Sequence, residues 1–364
     1  MEIKQLTSEE LNHLMQSEEV SGWTSLPISP LRLSAQMKNP HLLRDDIVMV
    51  IAVDNDDLAG YMVALPDDLM VGKTNHHIAW GSTLWTNPAH RRKGIGKMLA
   101  ASLNSAWKDK LFLTEFTMPS KPVYDQLDLF ESFYIKKGHR YFYRSILHSI
   151  AKGRFSNNKI ILGLLRLTDR VLNFFLAMRV SVRSYFGKKI KYRWRDWDVN
   201  NIPPELFPPS IFSNYWKKTH WIFTNPWLSS DKSAGCERYF FTTLVDRFQF
   251  RAISFFNRDH FPIALLVYSR INNEVKILSF FIISAPGIDS PSLKRNLEQF
   301  FMAERINSVL SYDARFDNLM GQGGSIFFYR RRRTREYLVS RALFEQLPVP
   351  EAGISEIDGD AVFT

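Results

Sequence analysis

The stretch that constrains this chain most is Leu84-Trp85-Thr86-Asn87-Pro88-Ala89-His90-Arg91-Arg92-Lys93-Gly94-Ile95-Gly96-Lys97. Trp85 and Thr86 close a run from His77 that reads as a strand. A proline follows, and the spacing of Lys97, Met98, Leu99, Leu103 and Trp107 predicts a helix opening after the glycines. A helix start leaves backbone N–H groups unpaired and partly positive, which suits phosphate. Gly94 and Gly96 have no Cβ and let the backbone come close to a ligand, while Arg91, Arg92 and Lys93 add long-range attraction. The turn is therefore suited to a pyrophosphate-bearing ligand. It lacks the Gly-Lys-Ser/Thr ending of a triphosphate loop and the third glycine of the dinucleotide fingerprint.

The surrounding elements give a mixed α/β order. Ile47–Val53 and Leu58–Leu65, separated by turn residues Asp54–Asp57, read as a hairpin. Leu111–Met118 reads as a strand, Val123–Lys137 as a helix stopped by Gly138, and Arg140–Leu147 as an aromatic-rich strand. In this setting Arg91, Gly94 and Gly96, with Pro88 upstream, resemble the acetyl-CoA signature of the GCN5-related N-acetyltransferase (GNAT) family, Arg/Gln-x-x-Gly-x-Gly/Ala. The resemblance covers the first lobe, from the hairpin to Leu147, and implies an α/β, acyl-CoA N-acyltransferase-like fold with acetyl-CoA as acyl donor and no metal.

By that resemblance, main-chain groups of Leu84, Trp85 and Thr86 hold the pantetheine arm, and Arg91, Arg92, Lys93, Gly94, Ile95, Gly96 and Lys97 hold the pyrophosphate. Tyr134, in Phe133-Tyr134-Ile135-Lys136-Lys137-Gly138-His139, is the candidate to protonate the departing thiolate; a packed helix tyrosine is the alternative. His139 stands where the family usually has Phe. The strand glutamate of many members is absent from Ala79-Trp80-Gly81-Ser82-Thr83. Ser82 and Thr83 are then candidates to order a water, with His76 or His77 as proton acceptor. Trp23, Arg32, Trp80, Tyr141 and Tyr143 are candidates for the acceptor side.

Charge singles out another segment. The 364 residues carry 47 Lys and Arg against 37 Asp and Glu, a surplus of ten. Ala151–Arg195 holds twelve basic residues and one acid, Asp169, so the rest of the chain sums to minus one. The segment is also strongly apolar, but Arg166, Asp169, Arg170 and Arg179 interrupt it before the ~20 residues of a spanning helix. Two readings stand: a helical connector burying its apolar side between lobes, or peripheral attachment to an anionic membrane through Phe174, Phe175 and their neighbours.

Pro203, Pro204, Pro208 and Pro209 open a second region. Strands at Phe248–Phe256, Ile263–Arg270 and Val275–Ile283, a helix at Ser292–Glu304, then Val309–Tyr312 and Ser325–Tyr329, repeat the order of the first lobe. Asn318-Leu319-Met320-Gly321 falls where the first lobe has Tyr134–Gly138. No Arg-x-x-Gly-x-Gly turn lies between Val275 and Ser292, which suggests a degenerate second lobe of the same kind. The acidic end, Glu356–Asp360, reads as a solvated tail, with a polar acceptor as its alternative partner. Arg330–Arg333 with Arg335 reads as an exposed strand. No RNA-binding module is recognised, so no specific nucleic acid is expected.

The single Cys236 excludes a disulfide framework and Cys-rich metal sites. Met1–Glu10 lacks the basic-then-apolar order of a secretory signal, so a cytoplasmic, or membrane-peripheral, chain is expected. The expected partition is a GNAT-like domain at 1–150, a basic amphipathic connector at 151–196 and a second mixed α/β lobe at 197–364. The expected activity is acetyl transfer from the CoA thioester by direct attack of a primary amine, borne by a small molecule or an amino sugar. A non-catalytic acyl-CoA sensor or scaffold is the alternative, suggested by the missing strand carboxylate.

Overall fold

The first hairpin turns on Asn55 and Asp56, both left-handed with φ of 51° and 58°. That conformation matches the twist of two antiparallel strands, and Asn and Asp tolerate it best among non-glycine residues. The structure, a computed structural model, describes the chain except residues 115–119, 153–157, 187–192, 204–209, 211, 213–214, 229–237, 240–244, 258–259, 284–289, 348–352, 360 and 364. Pro204, Pro208, Pro209, Cys236, Asp360 and the end of the strand expected at 111–118 lie outside the described residues.

In chain order the elements are β1 (Glu2–Thr7), α1 (Ser8–Gln16), α2 (Pro30–Met37), β2 (Ile47–Asp54), β3 (Asp57–Val71), β4 (Thr74–Thr86), α3 (Ile95–Ala106), β5 (Leu111–Leu113), α4 (Lys121–Asp125) and β6 (Phe130–Phe142). There follow α5 (Leu147–Lys152), α6 (Lys159–Phe186), β7 (Arg193–Trp197), α7 (Tyr215–Thr224), β8 (Phe248–Phe256), β9 (Pro262–Ile271), β10 (Glu274–Ile282), α8 (Ser290–Ala303), β11 (Ser308–Ser311), α9 (Ala314–Gly321) and β12 (Tyr329–Ser340). No helix among the described residues is long and apolar enough to cross a membrane.

The chain forms two compact units, and neither is contiguous. The first comprises 1–136, 208–248 and 335–364; the second comprises 137–207 and 249–334. This replaces the expected boundaries at 150 and 196. The cause is an exchange of strands: the second half of β12 pairs antiparallel with β5 in the first unit (Leu338 with Leu113), and the second half of β6 pairs with β11 in the second (Phe142 with Ser308).

In the first unit the strands run β1-β2-β3-β4-β5-β12. β4 and β5 are parallel, joined by the crossover helix α3. β2 is buried on both faces: Val50 and Ala52 join Ile95, Leu99 and Leu103 of α3, while Met49 and Ile51 join Leu11, Trp23 and Leu33 on the opposite side. Such a strand reads as a continuous apolar run because neither face meets water. Thr7 and Glu10 form a reciprocal cap at the start of α1, and Ser29 caps α2 ahead of Pro30.

The second unit runs β6-β11-β10-β9-β8-β7. β10 and β11 are parallel, with α8 between them, as α3 lies between β4 and β5. Tyr141, Tyr143, Phe255, Tyr268, Phe300 and Phe301 fill its core. The predicted repetition of element order is thus present. The strand expected at Ser325–Tyr329 instead begins at Tyr329 and runs on to Ser340.

Candidate active site

β5 lies beside only the middle of β4. β5 pairs with Ala79, Trp80 and Gly81 alone, and from Ser82 to Thr86 that edge of β4 has no strand partner among the described residues. Gly81 sits at the last point of contact, where a Cβ would lie 2.6 Å from Leu113. On the other edge β3 keeps hold, with Val63 opposite Ser82 and Tyr61 opposite Trp85. Thr83 and Leu84 therefore face the single residue Met62, which makes a bulge. Thr83 is left-handed at φ 48°, a costly conformation for a β-branched residue. Its Oγ1 is buried with no hydrogen-bond partner among the described residues. A bulge re-aims main-chain groups, and here it does so just beyond the residues of β4 that pair with β5.

The basic turn follows directly. Gly94 caps α3 with φ 78°, and its carbonyl accepts from Lys97 and Met98 N–H at 3.0 and 3.1 Å. The N–H groups of Ile95 and Gly96 precede the first intrahelical bonds. A Cβ on Gly96 would meet nothing closer than 3.7 Å, so packing within the protein does not demand a glycine there. Its bareness leaves room for approach from outside. Arg91 and Arg92 are exposed and have no carboxylate partner among the described residues, leaving both guanidinium groups available to phosphate. Lys93 lies 3.4 Å from His90, whose ring meets Asp54 at 3.3 Å.

The α2-facing side of β4 is lined by buried polar groups. Arg32 Nη2 donates to Ser82 Oγ at 3.0 Å, and its guanidinium lies over Trp227. One turn along α2, the buried Gln36 has neither amide atom paired among the described residues. Trp80 Nε1 donates to Asp67 of β3 at 2.9 Å. Lys218 of α7 donates to Asp67 and, at 3.0 Å, to Asp358, whose other oxygen accepts from Ser210 at 2.7 Å. Burial opposes the charge on Lys218, but the two carboxylates outweigh it and hold the ammonium protonated. Asp358 is pushed above the usual carboxylate range by its burial, against the attraction of Lys218.

From Asp67 a line of alternating acids and histidines leads outward. His41 Nε2 lies 3.9 Å from Asp67, beyond hydrogen-bond reach, while its Nδ1 meets Asp68 at 3.0 Å. His77 meets Asp68 at 3.0 Å through Nδ1 and Asp46 at 2.9 Å through Nε2. Both its nitrogens face carboxylates, so both donate and the ring is cationic. The hydrogen bond to Asp46 raises its pKa, against partial burial. Burial pushes Asp68 up, but hydrogen bonds from His77 and His41 outweigh it and leave its carboxyl below the usual range.

The structure brings Ser82, Leu84, Trp85, Thr86 and the turn from Arg91 to Lys97 into one strand-turn-helix unit. It corrects other expectations. No helix spans 123–137: Tyr134 lies on β6, and Gly138 is a strand residue whose Cβ would fall 2.1 Å from the Ser311 carbonyl. The helix is α4, and its tyrosine is Tyr124, buried among Ile95, Leu99 and Leu103. Asp128 follows with φ 54°, a left-handed turn that Asp tolerates better than most residues. Tyr141 and Tyr143 belong to the core of the second unit, and Trp23 to the packing of α1 and α2.

The acidic end is not solvated. Glu356 is buried and accepts from Arg335 and Lys136, both at 2.7 Å, while Gly359 packs on the Trp80 ring. Arg330, Arg331 and Arg332 are exposed as expected, but Arg335 is buried. Sequence reasoning also missed Gln36, Asp67, His41, Lys218 and the bulge. The adjacent Asp67 and Asp68 within an apolar strand were the visible hint.

The family model for the Acetyltransferase (GNAT) family matches residues 9–127. No curated protein matches the chain. Among solved structures, a probable N-acyltransferase from Enterococcus faecalis V583 is 9% identical with a TM-score of 0.45, covering 92% of this chain and 72% of its own. A GCN5-related N-acetyltransferase from Anabaena variabilis is 11% identical with a TM-score of 0.47, covering 93% and 71%. An N-myristoyltransferase from Saccharomyces cerevisiae, solved with myristoyl-CoA bound, is 10% identical with a TM-score of 0.44, covering 93% and 82%.

Proposed function

Because residues 9–127 form a domain of the GNAT acetyltransferase family, we propose that the chain transfers an acetyl group from acetyl-CoA to a primary amine, carried by a small molecule or an amino sugar in the cytoplasm. The observation that carries this reading is the strained bulge at Thr83, directly before the left-handed basic turn. In this reading the pantetheine arm lies along β4 and bonds to main-chain groups of Leu84, Trp85 and Thr86. The pyrophosphate meets the N–H groups of Gly94, Ile95 and Gly96, and Arg91, Arg92, Lys93 and Lys97 offset its charge.

The amine nitrogen attacks the thioester carbon, the tetrahedral species collapses with loss of the C–S bond, and the thiolate takes a proton. Ser82 Oγ accepts from the Arg32 guanidinium, which makes it a poor base. His77 already holds its proton between two carboxylates, so it does not serve as the base. The amine therefore attacks as the neutral species and loses its proton to water. Tyr124 and Tyr134 are the hydroxyls in question for the thiolate. Tyr124 is favoured, because the neighbouring Val123 of α4 lies beside Gly96.

Calorimetric titration with CoA tests the donor site: Gly94→Val with Gly96→Val should abolish binding, and unchanged binding overturns the reading. The absence of a carboxylate over Ala79–Thr83 favours a second reading, a non-catalytic acyl-CoA sensor or scaffold. That protein would bind CoA tightly yet release no thiol in a single turnover with a broad amine library.

A further inference from the structure

We infer that the α5–α6 helical pair docks on an anionic phospholipid surface through the outward stripe of α6. Ile160, Leu164, Leu167, Val171, Phe174 and Met178 follow one another at steps of four and three, so they share one side of the helix. All six are exposed, Ile160 by 78% and Phe174 by 66%. The neighbouring α5 exposes Ile150 as well. On the inner side, Asp169 accepts from Ser145 Oγ and from the N–H groups of Leu147 and His148, while Asn173 bonds both main-chain groups of Ser145. α6 is thus anchored through the face opposite the stripe, and the apolar side is turned away from those anchors.

Charge decides the occupant. Lys159, Arg166 and Arg170 are exposed along one flank of the stripe, and residues 151–195 carry a surplus of eleven positive charges. The segment's one acid, Asp169, is engaged in capping α5. Two copies meeting stripe to stripe would bring like charges together with no acid to offset them. Lipid phosphates supply the missing negative charge while the acyl boundary takes the apolar side chains, which is the arrangement of an interfacial helix. This inference does not depend on the acyltransferase reading.

The test is cosedimentation of the full chain with vesicles of phosphatidylcholine alone or with about one third phosphatidylserine, at low and high salt. Binding is expected on the anionic vesicles at low salt, with a loss of about fivefold for each of Arg166→Gln and Arg170→Gln. Leu167→Asp with Phe174→Asp should reduce it at least tenfold without changing the circular dichroism melt. Equal binding by that double variant, or no binding to anionic vesicles, overturns the inference. So does a wild-type dimer in sedimentation equilibrium that the double variant dissolves, which would give the face to a second copy.

Discussion

Replacing Lys218 by Met removes the single cation between Asp67 and Asp358. All three side chains are almost wholly buried: Lys218 is 3% exposed, Asp67 1% and Asp358 0%. Breaking a buried ion pair by deleting one partner costs about 3–5 kcal/mol, because the remaining charge is left without compensation. Here two carboxylates remain, and they respond by taking up a proton. Burial already holds Asp358 above its ordinary value, and losing Lys218 raises it further. A carboxyl whose folded pKa lies above the unfolded one costs stability as pH rises, by up to about 1.4 kcal/mol per unit until the folded pKa is passed. The variant should therefore be most destabilised near pH 8 and recover towards pH 5. Urea denaturation followed by tryptophan fluorescence at several pH values measures this. Lys218→Met with Asp358→Asn should regain part of the loss, since Asn can still accept from Ser210. A single variant within about 0.5 kcal/mol of wild type, or one whose deficit does not shrink on acidification, would refute the reasoning.

Three other outcomes are expected. Gly96→Ala should fold as wild type, because the added Cβ has space, yet weaken CoA binding in calorimetry; Gly94→Ala should also lose about 1–2 kcal/mol of stability from its left-handed backbone. His77 should titrate by NMR above its ordinary ~6.5. Its contribution to stability should be complete below that value and lost as pH rises through the raised one, so His77→Gln should differ most from wild type in mild acid. Tyr124→Phe should lower kcat by about tenfold or more with little change in KM, and Tyr134→Phe should do neither; the opposite result would return the thiolate proton to Tyr134.

Local chemistry was legible where the determinant is local. The hairpin showed itself through apolar runs around turn residues, and the site's turn through glycines beside basic residues at a strand end. β6 did not, because Phe130, Phe133 and Tyr134 sit at helical spacing. Only its far end, His139–Phe142, pairs with β11, a partner far along the chain, and the strand runs back unbroken from there to Phe130. Gly138 carried the contrary signal, since a strand glycine marks close backbone approach rather than a helix stop. The acidic end was misread for the same reason: Lys136, Lys218 and Arg335 neutralise it, and none is near it in sequence.

The exchange of β6 and β12 has a consequence for biosynthesis. The first unit receives Lys218 from the middle of the chain, and the strand beside β5 and the partners of Trp80 from its end. A ribosome that has made the first 150 residues has released a sheet whose edge at β5 still lacks its neighbour. The unit bearing the candidate active site thus begins before the second unit and closes after it. Any shortened product ending before Arg335 would lack the closing strand, so the first unit stays incomplete until residues 335–364 have been made.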